Sequence, residues 1–432
     1  MIASIFSANY RNQPYWWDRT PRPQLPAITL PRQADIAIVG SGYSGLCAAL
    51  QTARAGRHTV IFDAADAGWG CSSRNGGQIS TSIKPDFAAL SHQYGAEHAQ
   101  RIIRTGHDAL TWIGDFIASE NIACDFTRCG RFYAAHSPRQ FKQLVKKFNR
   151  QPKGLETEAE ILPRNEQRRE IGSDFYHGGV IQANHASLDP ARYHQGLLNR
   201  VHTAGASLFG HCAVTAIVRE GQHFRLQTAH GSICARHVII ATNGYTGALT
   251  PWLQRRVIPI SSTLIATEAI SPELMAELIP NNRNVVDTRR VVFYYRISPD
   301  RQRILFGGRV SIKDTDPAIS AVALHKEMVK IFPQLQDIKI SHSWMGFIAY
   351  SFDALPHIGQ HDGLYYSMGY CGSGVSMASY LGTRLGQQVL GLAEGNTALN
   401  GLNFQTRPFY QGKPWFLAPS IRYYRCLDRL GV

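Results

Sequence analysis

The chain lacks several features that would classify it at once. No apolar run reaches the ~18 residues that a membrane-crossing helix needs. No basic segment followed by an apolar one opens the sequence, so no secretory leader is expected. None of the eight cysteines forms a C-x-x-C, and Cys124 and Cys129 stand five apart without a second pair at metal-ligand spacing. A metal centre is therefore not expected, and the cysteines read as thiols of a reducing compartment, here the cytoplasm. Charged residues make up only 18% of the chain, below the ~25% of an average globular protein. Acid is scarcer than base, 31 against 45, which leaves a net charge of +14. The densest basic groups are pairs, Lys146-Lys147, Arg168-Arg169, Arg255-Arg256 and Arg289-Arg290. Without a basic run or stripe, nucleic acid is not an expected partner, and a solvated basic surface is the plainer reading. With 44% hydrophobic residues, the low charge excludes a disordered chain. A chain of 432 residues has room for two or three domains and a substantial core.

What is present is glycine, 38 residues of it, gathered in clusters. Asp35-Ile36-Ala37-Ile38-Val39 reads as a buried strand and runs into Gly40-Ser41-Gly42-Tyr43-Ser44-Gly45. Helical periodicity follows from Ser44 to Ala55. Thr59-Val60-Ile61-Phe62 is a second buried strand with Asp63 at its end. This is a β-α-β unit. Gly40 permits the turn, Gly42 removes a side chain where a pyrophosphate must approach, and Gly45 lets helix and sheet pack closely. The helix N-terminus offers N–H groups and a positive dipole end to phosphates. Asp63, 23 residues after Gly40, is placed to accept from a ribose hydroxyl. The fingerprint occurs once, so one dinucleotide is expected. Gly68 to Gln78 is small, polar and flexible, with one arginine, and suits a backbone wrap around a flat ring and a phosphate.

Elsewhere, residues 1–33 are rich in proline and aromatics and read as an extended arm docked on the body rather than an element of its own. Helices are expected over 88–120, 137–150, 189–204, 320–332 and 374–392. Strands are expected over 132–135, 213–219, 224–228 and 237–241. An antiparallel pair, 291–297 with 304–308, turns around Pro299-Asp300. There is no internal repeat.

Several segments together resemble the flavin-dependent amine and amino-acid oxidases, the group that includes D-amino-acid oxidase, glycine oxidase and sarcosine oxidase. They are GSGYSG (Gly40 to Gly45), SSRNGGQ (Ser72 to Gln78), ATNGYTG (Ala241 to Gly247), YYR (Tyr294 to Arg296) and FGGR (Phe306 to Arg309). WMGFIAYSFDALPHIG (Trp344 to Gly359), MGYCGSGV (Met368 to Val375) and YYRCLDRLGV (Tyr423 to Val432) complete the set. Within the group the chain is most similar to the bacterial gamma-glutamylputrescine oxidases. It departs from the pattern at Asp63, where glutamate is commoner, and at Cys71 and Ser73, where alanine and glycine are usual.

The resemblance implies an α/β fold: a Rossmann-like FAD-binding domain of the glutathione-reductase type with a second, mixed β-sheet substrate domain. The implied division is an arm (1–33), FAD-binding segments at 34–90, 188–250 and 343–395, substrate segments at 91–187 and 251–342, and a tail (396–432). FAD is the implied cofactor. Its contacts would be Gly40, Gly42, Tyr43, Ser44, Gly45 and Asp63, then Ser72, Ser73, Arg74, Asn75, Gly76, Gly77 and Gln78. Val214, Ala241, Thr242, Gly244 and Gly346 follow, and the set closes with Gly369, Gly372, Ser373, Gly374, Val375 and Ser376. The helix beginning near Ser373 would aim its dipole at the pyrimidine end of the flavin.

The implied reaction is hydride transfer from the carbon bearing nitrogen to flavin N5, giving an imine, then an aldehyde, with dioxygen as acceptor and hydrogen peroxide as product. A small amine, such as a polyamine derivative, is the expected substrate. An amino-acid oxidase or dehydrogenase using another acceptor is the alternative, and flavin-dependent nucleic-acid modification is one of another class. No catalytic residue is assigned, because desolvation alone can lower the amine pKa. Candidates to bind substrate are Tyr294, Tyr295, Arg309, Trp344, Phe347 and Tyr370. Tyr294 and Tyr295 are strand neighbours facing opposite ways, so at most one is expected to line the pocket. Arg309 suits a carboxylate or an ordinary ion pair. Trp344 suits a pocket wall or the core. Cys71 and Cys371 are expected to be free thiols rather than flavin tethers, and Asp353 a structural carboxylate. The oligomeric state is left open.

Overall fold

The chain weaves between two large β-sheets, and Gln78–Ile79 pairs with Ala186–Ser187 in a small two-stranded one. The computed structural model describes residues 5–25, 27–81, 83–308 and 316–431. One sheet has eight strands. At its centre Gln33–Val39 lies parallel to Thr59–Phe62 on one side and to Gly231–Ile240 on the other. All four residues of Thr59–Phe62 are buried; a parallel strand covered on both faces needs such an unbroken apolar run. Ser207–Phe209 adds a parallel strand outside it. The antiparallel pair Val214–Glu220 and His223–Thr228 leads into the first half of Gly231–Ile240, while Leu364–Met368 pairs with the second half. The helix Tyr43–Arg54 connects the first two central strands. The helix Gly374–Val389 packs on it so closely that a Cβ at Gly382 would lie 2.5 Å from the Ser44 carbonyl oxygen.

The other sheet has nine strands. Their order is Phe6–Arg11, Ile340–Tyr350, Ile258–Thr267, Ile304–Gly308, Phe293–Ile297, Asn284–Asp287, Arg131–Ala134, Gly179–Gln182 and Glu160–Leu162. It is mixed: Phe6–Arg11 and Ile340–Tyr350 run parallel, as do Asn284–Asp287 and Arg131–Ala134, and the other neighbours are antiparallel. One face is covered by a core that includes Phe132, Tyr295, Phe306 and Phe332. The helix Pro317–Ile331 packs there through Leu324 and Met328. The α/β class with a second, mixed sheet agrees with the expectation from sequence.

Three local expectations need correction. The arm is not merely extended: Phe6–Arg11 is an edge strand and Tyr15–Arg19 a short helix. Trp16 is fully buried, and burial of such a side chain contributes roughly 2–3 kcal/mol. The helix expected over 88–120 is two, Phe87–Tyr94 and Ala96–Ser119, divided at Gly95 with φ 81°. Asp86 caps the first of them. Finally, position 342, expected as a domain boundary, falls inside the eleven-residue strand Ile340–Tyr350 of the nine-stranded sheet. Among the described residues no helix is long and apolar enough to cross a membrane. The eight cysteines form no disulfide.

Candidate active site

A cavity of about 620 Å³ is lined from both sheets. At one end the strand Gln33–Val39 turns at Gly40, with φ 106°. A Cβ on Gly40 would come within 2.8 Å of the Ala241 carbonyl oxygen, and one on Gly45 within 2.0 Å of the Gly40 carbonyl oxygen. The turn is thus backbone packed on backbone. The helix Tyr43–Arg54 starts at Gly42 with no side-chain cap and no acidic residue in its first turn. Ser72 Oγ accepts from Tyr43 N at 3.0 Å. The remaining first-turn N–H groups lack partners within the helix, and with the dipole they make this end attractive to an anion.

Asp63 lines the same end. Its Oδ2 accepts from Ser41 N at 2.9 Å and from Ser41 Oγ at 2.5 Å, and its Oδ1 accepts from Ala65 N at 3.1 Å. Ser41 Oγ also accepts from Gly68 N at 2.9 Å. Buried His194 hydrogen-bonds the Ser41 carbonyl at 2.8 Å. Burial, only partly offset by that bond, lowers the His194 pKa to about 4. Ser41 and His194 were not sequence candidates. Ser41 stands between the first two glycines, but His194 comes from a helix 153 positions away and had no local signal.

The loop after Gly68 is held by three indoles. Trp17 Nε1 donates to Ser73 Oγ at 2.9 Å, Trp344 Nε1 to the Arg74 carbonyl at 2.6 Å, and Trp16 Nε1 to the Asn75 carbonyl at 2.9 Å. Arg74 stacks its guanidinium over Trp17 and Trp69. Asn75 Oδ1 accepts from Gly77 N at 2.8 Å. The helix Gly374–Val389 points its uncapped N-terminus into the cavity through Cys371, Gly372, Ser373, Gly374 and Val375.

The opposite wall is one face of the nine-stranded sheet. Side chains alternate across a strand, and the pairings Val286↔Tyr294, Tyr294↔Gly307 and Gly307↔Leu264 put these positions on one face. Tyr294 lines the cavity and its hydroxyl hydrogen-bonds Ser262 Oγ at 3.0 Å. A Cβ on Gly307 would meet the Tyr294 ring at 2.4 Å, so glycine there makes room for the ring.

The family model for FAD-dependent oxidoreductases of the DAO type matches residues 35–388. The chain belongs to this family. It is 32% identical over 406 residues to gamma-glutamylputrescine oxidoreductase of Escherichia coli K12, covering 92% of this chain and 93% of that one. It is 19% identical to glycine oxidase of Bacillus subtilis, over 83% of this chain and 94% of that one. Among solved structures, glycine oxidase from Geobacillus kaustophilus superposes with a TM-score of 0.73 at 17% identity, covering 88% of this chain and 99% of that one. L-proline dehydrogenase from P. horikoshii gives 0.67 at 17% identity, over 90% and 99%. The protein is accordingly an FAD-dependent oxidoreductase.

Of the positions singled out for the family's cofactor, Gly40, Gly42, Tyr43, Ser44, Asp63, Ser72, Arg74, Asn75, Gly76 and Gln78 line the cavity. So do Val214, Ala241, Thr242, Gly346, Gly372, Ser373, Gly374 and Val375. Gly45, Ser73, Gly77, Gly244, Gly369 and Ser376 are not in the lining. Ser73 is buried and donates to the Gly68 carbonyl at 2.7 Å. The Gly77 carbonyl accepts from Leu188 N at 2.9 Å, and Gly369 N donates to Asn243 Oδ1 at 3.0 Å.

The substrate candidates divide further. Tyr295 faces away from the cavity, stacked on Phe306 in the core, as strand alternation demands for a neighbour of Tyr294. Trp344 is buried with Tyr15, Trp16 and Leu264; it supports the 73–75 loop instead of forming a cavity wall. Phe347 lies outside the lining, with its ring edge-on to Tyr245. Tyr370 lines the cavity, but its hydroxyl is committed to Ser44 Oγ at 2.6 Å and to the Ser367 carbonyl at 2.8 Å. Arg309 lies outside the described residues. Asp353 hydrogen-bonds His357 at 3.1 Å and caps Leu355 N. Burial pushes the Cys71 thiol up to about 11 and raises the Cys371 thiol as well. Lining residues absent from the candidate set include Ser262, Leu264, Val286, Lys84 and Arg131.

Proposed function

We propose that the protein oxidises the C–N bond of a small amine to an imine, which water then converts to a carbonyl compound. The supporting observation is that a single cavity joins the anion-attracting turn at Gly40–Gly45 to the sheet wall carrying Tyr294. The similarity to gamma-glutamylputrescine oxidoreductase over most of both chains favours an amine over other donors.

The residues suit FAD on physical grounds. A Cβ at Gly40, Gly42 or Gly45 would collide with neighbouring protein atoms at 2.8, 2.9 and 2.0 Å, so glycine at these positions lets the turn close tightly and present its backbone N–H groups beside the cavity. The first turn of Tyr43–Arg54 would hold the pyrophosphate, Asp63 a ribose hydroxyl and Val214 the adenine edge. The loop Ser72–Gln78 and the helix start at Ser373–Ser376 would hold the flavin. In this division of labour the eight-stranded sheet serves the cofactor and the nine-stranded sheet the substrate. Bound FAD supplies the two-electron acceptor, and dioxygen would reoxidise it to give hydrogen peroxide.

The chain's own residues orient and desolvate the amine. Leu264, Val286 and Ile348 give the wall apolar surface, and the Tyr294–Ser262 pair adds hydroxyls that can donate to or accept from the amine nitrogen. Desolvation against such a wall favours the neutral amine, the form that can give up hydride, without a dedicated base. The helix dipole at Ser373 favours negative charge as electrons arrive.

The test is anaerobic mixing of the purified yellow protein with gamma-glutamyl amines, free amines, amino acids and hydroxy acids. Loss of the oxidised flavin band with an amine, and peroxide on admitting air, is expected. Bleaching by hydroxy acids alone would overturn the reading.

A further inference from the structure

A basic surface lies outside the cavity lining. The helix Pro138–Asn149 buries Leu144 against Ala135 and Val180, with Phe141 and Phe148 packed beside it. Residues three and four apart share a face of a helix. Arg139, Lys142, Lys146 and Arg150 follow that spacing along the opposite face, and all four are exposed. None of them makes an ion pair with a described residue. From Ser137 to Lys153 the chain has six cations and no carboxylate. Like charges at this spacing destabilise a helix, so the row does not serve the stability of the fold. The helix turns what reads in the sequence as an isolated pair, Lys146-Lys147, into part of a stripe.

The helix Leu417–Arg429 adjoins it. Ser137 Oγ, just before the first helix, donates at 2.9 Å to the carbonyl of Gly431, just past the second. The tail 396–432 has five cations and one carboxylate, Asp428. That carboxylate is turned onto the body, where it accepts from Arg290 N at 2.7 Å and Val291 N at 3.0 Å. Arg422 and Arg429 stay exposed. Phe409, Trp415, Tyr423 and Leu430 are each at least 61% exposed. Large apolar side chains gathered outside a core mark an interaction surface.

We propose that this face binds the surface of an anionic lipid bilayer. The stripe would meet the headgroup phosphates, and the apolar side chains of the tail the boundary between headgroups and acyl chains. Base beside tryptophan, tyrosine and leucine is the composition of a surface that lies on a membrane. The cations are drawn to the negative leaflet, and the apolar groups gain by leaving water. Such binding needs no spanning helix. A second copy of the chain would set like charge against like charge in a two-fold contact. A nucleic acid would be drawn to the stripe but offers Leu430 no apolar layer to enter. The proposal is independent of the amine reading.

The test spins the FAD-loaded protein with vesicles of phosphatidylcholine alone, and with vesicles in which about a third of the lipid is phosphatidylserine. Flavin absorbance in the pellet measures binding. Pelleting with the anionic vesicles alone is expected, and raising the salt should release the protein. Each cation near such a surface contributes about fivefold to partitioning, so Arg139→Gln, Lys142→Gln, Lys146→Gln and Arg150→Gln together should lower it ~100-fold or more. Flavin content should not change, because none of the four lines the cavity. Trp415→Ser should lower partitioning about tenfold, the scale of one large apolar side chain returned to water. Equal pelleting with both kinds of vesicle, or none with either, would overturn the proposal, and this comparison needs no variant. Undiminished binding by the fourfold variant would overturn it too. So would tighter retention on single-stranded RNA than on the anionic vesicles at the same salt, which would assign the stripe to nucleic acid.

Discussion

The two ends of the cavity are built from different materials. The end at Gly40–Gly45 is backbone: three glycines, a helix terminus and one carboxylate, all within 24 residues of sequence. The end at Tyr294 is side chains from strands that begin at positions 131, 258, 284, 293 and 304. A backbone site is intolerant, because its shape depends on the absence of atoms. A side-chain site is adjustable, because each strand adds one group to a face whose pairing is held from behind. The difference teaches why one fold can keep a cofactor and vary its substrate.

The largest effect should come from the backbone end. Gly45→Ala places a Cβ where the Gly40 carbonyl oxygen already stands at 2.0 Å. The turn must open, and FAD affinity should fall by ~100-fold or more, close to 3 kcal/mol. The flavin-to-protein absorbance ratio of the purified variant reads this, with circular dichroism reporting the fold. A variant as yellow as the parent would break the comparison.

An intermediate effect should follow acidification. His194 is neutral in the fold, with its pKa lowered to about 4, and would titrate near 6.5 in the unfolded chain. Between those values the unfolded state binds more protons. Stability, and with it the Ser41–Asp63–Gly68 cluster, is therefore full above about pH 6.5 and declines as pH falls toward 4. The full decline is on the order of 3 kcal/mol for this one group. Buried His185, lowered to about 2, acts in the same direction. Flavin fluorescence released from the protein should rise as pH drops through this window, and less steeply in His194→Gln. Identical release profiles would show that this histidine does not govern retention.

The smallest effect should come from the side-chain end. Tyr294→Phe removes a hydroxyl held by Ser262 at 3.0 Å and leaves the ring over Gly307. Flavin content should not change, and KM for the amine should rise about three- to tenfold, the range of a single hydrogen bond. Steady-state kinetics with an unchanged flavin spectrum would sharpen the comparison. Loss of flavin would break it by showing that the sheet wall also holds the cofactor.

How much was legible in advance follows the same line. The central β-α-β could be read because turn glycines, helix period and terminal acid are local signals with local causes. Phe293–Ile297 with Ile304–Gly308 could be read for the same reason. The strand in the arm could not, since Phe6–Arg11 pairs with residues more than 300 positions away. The role of Trp344 could not be read in advance, because a tryptophan with apolar neighbours suits a wall or a support equally. Its partner, the Arg74 carbonyl, lies 270 positions away. The break at Gly95 was hidden because residues on both sides keep a helical period, and one glycine at φ 81° interrupts it.

The sequence by itself determined the dinucleotide-binding turn where the helix dipole and glycines gather, because that depends on short-range sterics and on residue types at fixed spacing; its motifs carried the resemblance that implies the family and FAD. Only the tertiary structure decided which of two adjacent tyrosines meets the cavity, that three tryptophans from opposite ends of the chain hold one loop, and that Arg131 faces the cavity without a carboxylate partner among the described residues. Those facts depend on strand register and on long-range pairing. A one-residue shift of register turns every side chain of a strand to the other face.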